Sequence, residues 1–442
     1  MGEWNTVVLE NLLVENRGIS VGVMYPGTNT SDGIPLIRVG DIVHGRVVAD
    51  PTYRISPNVH HEYRRTELEG GECLVTLVGR PGVAVPVPKS MAGWNAARAL
   101  AVIRLKNPDD LNFFVYAMAS PKVQHRILNL CNTTVQPTLN LKEIKTLELP
   151  WPDQEMRDEI ANLLSAIDDK IELNRRTNET LEAMAQATFK DWFVDFGPVR
   201  RKMQGEADAI AILGGLIDDP DRATSLAALF PDTLGDNGLP EGWREQPFSY
   251  FVEIMGGGTP KTSIEEYWGG QVPWYSVVDT PSGSDVFVFE TQKTITPSGE
   301  KNSSARLVPP GTTIISARGT VGNLAMAAVE MTFNQSCYGL LPSNGTGPTY
   351  VYLATQHVVH RLQQMAHGSV FSTITRQTFD NAHLAASRHQ IFEAFETIVA
   401  PLFAKIKSNV HENQTLAETR DYLLPKLMSG EIRAGLAEEL VA

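Results

Sequence analysis

The chain has 442 residues, 42% hydrophobic and 20% charged, with a formal net charge of −13. That length allows two or three domains of ordinary size, and no apolar run is long enough for a membrane-spanning helix, so no membrane partner is expected. The three cysteines (Cys73, Cys131, Cys337) are too dispersed for a zinc site or a disulfide framework, and the opening residues lack the blocks of a signal peptide, which predicts a reducing, cytoplasmic setting.

The acid is unevenly spread. Residues 1–150 carry +1, residues 151–245 carry −10, and residues 246–385 and 386–442 carry −2 each. The near-neutral segments do not exclude a polyanionic partner, but they offer it little non-specific attraction.

In chain order, residues 1–150 read as a Gly- and Pro-rich globular domain with short strands at Leu74–Val78 and Val83–Val87. Residues 151–196 read as a long helix starting at Pro152-Asp153. Ile160, Ile167, Asn174, Leu181 and Thr188 recur every seven residues, beside a companion row of Leu164, Ile171, Asn178, Ala185 and Trp192. Two narrow apolar rows at this interval predict a coiled-coil seam. Residues 197–238 read as a loose connector, with turns at Asp218–Asp221 and Gly235–Gly238 and a short helical stretch at Ile210–Ile217. Residues 239–385 form a second globular domain, with strands at Thr313–Ser316 and Leu324–Val329. Residues 386–442 hold a second seam helix and a tail. Its rows are Phe395, Leu402, Asn409, Leu416 and Leu423, and Val399, Ile406 and Asn413. Ser387 and Gln390 suggest a capping box, Pro401 and Pro425 suggest kinks, and Gly430 suggests a stop.

The halves are related. Lys170-Ile171, Asn174, Asn178 and Thr180-Leu181 recur as Lys405-Ile406, Asn409, Asn413 and Thr415-Leu416 at a constant offset. Residues 71–82 align with 311–322, and 135–138 with 370–373. This predicts an α+β chain: two similar mixed domains separated by two long antiparallel helices that form an intramolecular coiled coil with pseudo-two-fold duplication. The seam asparagines fix register, because pairing one with leucine strands its amide.

Three motifs mislead. Gly256-Gly257-Gly258-Thr259-Pro260-Lys261-Thr262 lacks the Gly-Lys adjacency of a phosphate loop, and Pro260 removes a donor where the cradle needs one. Asp153, Asp168 and Lys170 mimic a metal-dependent nuclease but fall on a seam helix. His60-His61 and His357 with His360 lack further ligands at metal spacing. No metal site and no catalytic residues are predicted.

The ordered set Leu239-Pro240-Glu241-Gly242-Trp243, Gly256–Pro260, Glu266–Gly270, Val272-Pro273-Trp274 and Ser316–Gly322 resembles the specificity subunit of Type I restriction–modification systems. So do Ile167–Asn174, Phe189–Phe196 and Leu424–Ile432. The resemblance implies two target-recognition domains, each reading half of a split, asymmetric sequence in double-stranded DNA. It implies helices that set the spacer and dock two methyltransferase subunits, with motor-nuclease subunits joining for cleavage. It also implies that the chain is not an enzyme and holds no cofactor, S-adenosylmethionine belonging to the methyltransferase partner. Loop residues of base-reading type are then Thr259, Lys261, Thr262, Arg318, Thr320, Asn334, Gln335, Ser372 and Thr373, and by analogy Arg80, Asn95, Gln136 and Thr138. The seam and docking set is Ile160, Leu164, Ile167, Ile171, Asn174, Asn178 and Leu181, facing Leu402, Ile406, Asn409, Asn413 and Leu416. A coiled-coil scaffold without DNA specificity is the alternative.

Overall fold

A computed structural model describes residues 4–131, 137–365 and 373–435. The chain divides into two compact units, Met1–Ile171 with Thr415–Ala442, and Glu172–Gln414.

The first unit is built on a four-stranded antiparallel sheet in the order Ile19–Val21, Leu100–Ile103, Cys73–Thr76, Ala84–Pro86. The central strands are buried throughout, so the period-two alternation of side chains serves two cores. Cys73, Val75, Ala101 and Ile103 pack under Phe114, Met118, Val123 and Ile127 of the helices Leu111–Ala119 and Pro121–Leu130. Leu74, Leu100 and Val102 face the other way, against Ile37, Leu68, Met91 and Ala96. A three-stranded sheet pairs Ile34–Ile37 antiparallel with Arg54–Ile55 and parallel with Asn95–Ala96. Thr6–Val8 and Glu148–Pro150 close the base as an antiparallel pair.

The second unit repeats this plan. Val252–Gly256, Cys337–Pro342, Thr313–Ser316 and Leu324–Ala327 form the main sheet, with Phe287–Val288 added at its edge. Trp268–Tyr275 pairs antiparallel with Thr294–Ile295 and parallel with Thr332–Phe333. Arg244–Pro247 and His383–Ala386 form the basal pair. The strands expected near residues 74, 83, 313 and 324 are all present, shifted by no more than two residues at either end.

Two long helices, Gln154–Phe193 and His389–Ser429, each contribute to both units. The first is capped by Asp153, whose Oδ1 accepts from the Met156 N–H at 3.0 Å. In the first unit, Ile160, Leu164, Ile167 and Ile171 pack with Phe113, Tyr116, Leu423 and Leu427, and Leu416 packs against their edge. Arg420 donates to Asp168 at 2.7 Å beside the Tyr116 hydroxyl at 2.8 Å. In the second unit the Asn174 amide donates to Asn413 Oδ1 at 2.9 Å, and the Asn409 amide donates to Asn178 Oδ1 at 2.9 Å. Numbers rise along one helix as they fall along the other, so the pairing is antiparallel, with asparagine facing asparagine. Ile406 is buried there, and Leu181 and Leu402 pack against the same core.

Two expectations need correction. The connector is not loose: it folds into helices Gly197–Met203, Ala209–Ile212 and Pro220–Ala227, and Val199, Leu213, Ile217 and Phe230 are buried in the second unit's core. Its apolar residues are too irregularly spaced to reveal a stripe. The capping box does not form, because the second helix starts at His389 and the Ser387 hydroxyl donates to the Arg388 carbonyl instead. That helix runs on through Pro401 and Pro425. The Thr397 carbonyl, which Pro401 cannot bond, lies 3.4 Å from Arg222 Nη2. Gly430, at φ +78°, does end it.

The second core also contains a carboxylate. Glu396 accepts from the Thr349 hydroxyl at 2.6 Å and the Tyr350 N–H at 2.8 Å, yet burial outweighs these bonds and raises its pKa above the usual 4.5. The folded state therefore holds this proton more tightly than the unfolded one, so the contribution is present at low pH and lost as pH rises through the raised value. Glu396→Gln, which keeps an acceptor without the charge, is expected to hold its melting temperature at pH 7 and flatten the pH dependence above 4.5 in thermal denaturation. Glu396→Ala leaves both donors unpaired and should cost about 1–3 kcal/mol at pH 7.

Candidate nucleic-acid interface

Each unit carries the same tight hairpin at one end of its main sheet. In the first, the Thr76 hydroxyl donates to the Arg80 carbonyl at 2.5 Å and accepts from the Val83 N–H at 3.0 Å. In the second, the Ser316 hydroxyl donates to the Thr320 carbonyl at 2.5 Å and accepts from the Asn323 N–H at 2.9 Å. Gly79 and Gly82 match Gly319 and Gly322, all with φ between +79° and +91°, a conformation that favours glycine. Arg80 is exposed at one tip, and Arg318 and Thr320 at the other. Among the described residues, neither guanidinium has a protein partner.

Backbone bonds tie further loops beside each hairpin. In the second unit the Gly258 N–H donates to the Phe333 carbonyl, Ala317 to Ser336, and Ile374 to Ala317, and Arg318 bridges Thr373. This places Thr259, Asn334, Gln335, Arg318 and Thr373 along one edge. Thr259 Oγ1 bonds Gln335 Oε1, while Lys261 and Thr262 are exposed on the adjoining loop. In the first unit the matching bonds are Val23 to Ala96, Leu77 to Ala99 and Leu139 to Leu77, with Val78 bridging Thr138. Gly22 and Gly257 make the crossing possible: a Cβ would stand 2.1 Å from the Ala96 or Asn334 carbonyl oxygen.

This register revises the candidate set. Asn95 lies in the short parallel strand, is 0% exposed, accepts from the Thr66 hydroxyl at 3.1 Å and contacts His60 Nδ1 at 2.6 Å. Its structural counterpart is the buried Thr332, so it offers no surface to a ligand. Gln136 and Ser372 lie outside the described residues. The sequence reading missed a cleft of about 780 Å³ lined by Met24, Tyr25, Arg38, Tyr53 and Arg98. Tyr25 is 74% exposed, and Arg38 stacks over Tyr53 at 5.1 Å. The available signal was Gly22, whose match to Gly257 aligns Met24 with Thr259.

Among the described residues, Cys73, Cys337, Asp153 and Asp168 all sit in structural settings. Cys73 and Cys337 are buried strand residues, and burial pushes the Cys337 thiol up to about 12. Asp153 caps a helix and Asp168 is paired with Arg420. A separation of 15 residues along the helix holds those two carboxylates about 22 Å apart. Among the described residues, no group of three or more His, Cys, Asp or Glu side chains could hold a metal ion. Nor, among them, is any helix long and apolar enough to cross a membrane.

Residues 28–183 and 240–385 match the family described as Type I restriction modification DNA specificity domain, one match for each copy. The chain belongs to this family. The HindI specificity subunit of Haemophilus influenzae is 31% identical over 329 residues, covering 67% of this chain and 71% of the relative. The EcoBI specificity subunit of Escherichia coli is 31% identical over 195 residues, 42% of this chain and 41% of that one. The crystal structure of a Type I S subunit from M. genitalium shares the fold, with a TM-score of 0.56 at 16% identity, covering 97% of this chain and 99% of that one. Specificity-subunit membership accounts for both the duplicated domains and the seam. It leaves the scaffold alternative without support.

Proposed function

We propose that this chain is the DNA-reading subunit of a Type I restriction–modification complex, each copy reading one half of a bipartite, asymmetric target. The observation that carries this reading is the recurrence of one hairpin-and-loop surface in both copies, each with a guanidinium on an exposed tip that has no protein partner among the described residues. Phosphate contacts from Arg80, Arg318 and Lys261 position such a surface, and polar side chains of the flanking loops, among them Thr259, Thr262, Thr320, Asn334, Gln335, Thr138 and Thr373, reach base edges.

The seam helices set the spacer, and their outer faces dock two methyltransferase subunits, with motor-nuclease subunits completing the cleaving complex in the cytoplasm. The chain itself is non-catalytic, and S-adenosylmethionine is held by the methyltransferase partner. Modified-base sequencing of DNA from cells expressing the chain with its methyltransferase subunit, against cells lacking the chain, tests this. The expected result is a bipartite methylated motif that disappears with the chain. An unchanged methylome, with both proteins expressed and the methyltransferase active with another reader, would return the chain to the scaffold reading.

A further inference from the structure

The two copies superpose their backbone bonding closely enough to align residues that share no identity. Gly22 N–H donates to the Leu100 carbonyl as Gly257 donates to Cys337; Ala97 donates to Ile37 as Asn334 donates to Tyr275; Leu100 donates to Ala97 as Cys337 donates to Asn334. These bonds put Arg98 and Gln335 at one equivalent position, each between a residue that ends the parallel pair and one that receives the hairpin strand. Both side chains are exposed. Their backbone is fixed on both sides, by Leu77 to Ala99 at 2.8 Å in one copy and Ala317 to Ser336 at 2.7 Å in the other.

We infer that this shared position is a specificity-determining site of each half-target, Arg98 selecting a guanine and Gln335 an adenine. The inference rests on the DNA-reading proposal and deepens it. A base reader needs a fixed backbone under a free side chain, so that little ordering is left to complete on binding. Arg98 meets this: among the described residues its guanidinium has no protein partner, and it lines the cleft beside Tyr25 and Arg38. Its forked donors match the O6 and N7 acceptors of guanine. Gln335 is held through Oε1 by the Thr259 hydroxyl, which orients its amide and leaves the N–H donors and a lone pair for the N7 and N6 edge of adenine.

The hairpin tips behave differently. Their guanidiniums sit at non-equivalent places, since Arg80 aligns with Thr320 and Arg318 with Val78. A phosphate contact tolerates that shift, because it needs charge near a backbone more than a fixed register against one base.

The test uses the full complex with methyltransferase subunits, in cells, read by modified-base sequencing. Arg98→Gln should relax or change one base position in one half-site, with guanine discrimination falling on the order of ten- to a hundredfold, and leave the other half-site intact. Gln335→Arg should do the same in the opposite half-site only. Both are surface changes, so melting temperatures should match the native chain.

A motif unchanged in both variants overturns the inference. So does a uniform loss of methylation in Arg98→Gln that Arg98→Lys restores with the native motif, which would mark a phosphate contact only. If the native chain itself directs no motif, the DNA-reading proposal fails instead, and the two failures are thereby separated.

Discussion

Lengthening the seam by one layer, with residues 172–178 repeated in the first helix and 409–415 in the second, is expected to lengthen the spacer and leave both half-sites unchanged. Each repeat adds seven residues, about 10 Å of helix, equivalent to roughly three base pairs at about 3.4 Å each. The rows stay in phase because the inserted residues preserve the seven-residue interval, and the added asparagines face each other as Asn174 faces Asn413 and Asn178 faces Asn409. The insertion also falls at the border between the two units. Repeating the segment in one helix alone should do worse, since it sets asparagine amides against leucine and isoleucine and strands buried polar groups. Modified-base sequencing reads the spacer directly, and an unaltered spacer in a folded, active variant would remove the helices as its ruler.

Trp192→Ala is expected to cost about 3–5 kcal/mol of stability, among the largest effects expected of any single substitution. Trp192 is fully buried, edge-on to Phe230 at 4.9 Å and beside Phe395 at 5.9 Å. Its neighbour Phe193 stacks on Phe392 at 5.5 Å and meets Tyr350 at 5.0 Å. Removing the indole empties the point where the first long helix, the connector and the second long helix converge, and such a site cannot collapse without moving a helix. The melting temperature should fall on the order of 10 °C. Trp192→Phe should cost much less, because among the described residues the indole N–H has no partner and only volume is lost. Equal melting of native and Ala variants would show that this cluster does not hold the unit together.

Much of this architecture was legible because its signals are periodic. Asn174 and Asn409 stand at matching heptad positions, and the hairpin glycines recur at one offset, so both the seam and the duplication could be read from spacing. The interface was harder. Asn95 was chosen by residue type, yet it occupies an inward-facing strand position, where its amide satisfies Thr66 and His60. Arg98 was passed over because it resembles nothing at Gln335, and the equivalence exists only in which carbonyl each neighbouring N–H reaches. The connector was misread for a related reason. Its buried residues, Val199, Leu213, Ile217 and Phe230, follow no single period, because short helices and turns present them in succession.

The asparagine pairs also bear on how the chain reaches this structure. Asn178 and Asn409 lie 231 residues apart in sequence, so their bond closes a very long loop. Closing it from an open coil is slow and entropically unfavourable, whereas prior folding of the intervening sheets brings the ends together at little further cost. During synthesis, at about 5–20 residues per second, the first helix therefore waits roughly 10–45 s with the side of its apolar rows that faces the second helix uncovered until that mate is made. For that interval the nascent chain presents a sticky half-seam, and the polar layer within it disfavours purely apolar wrong mates until the right one arrives.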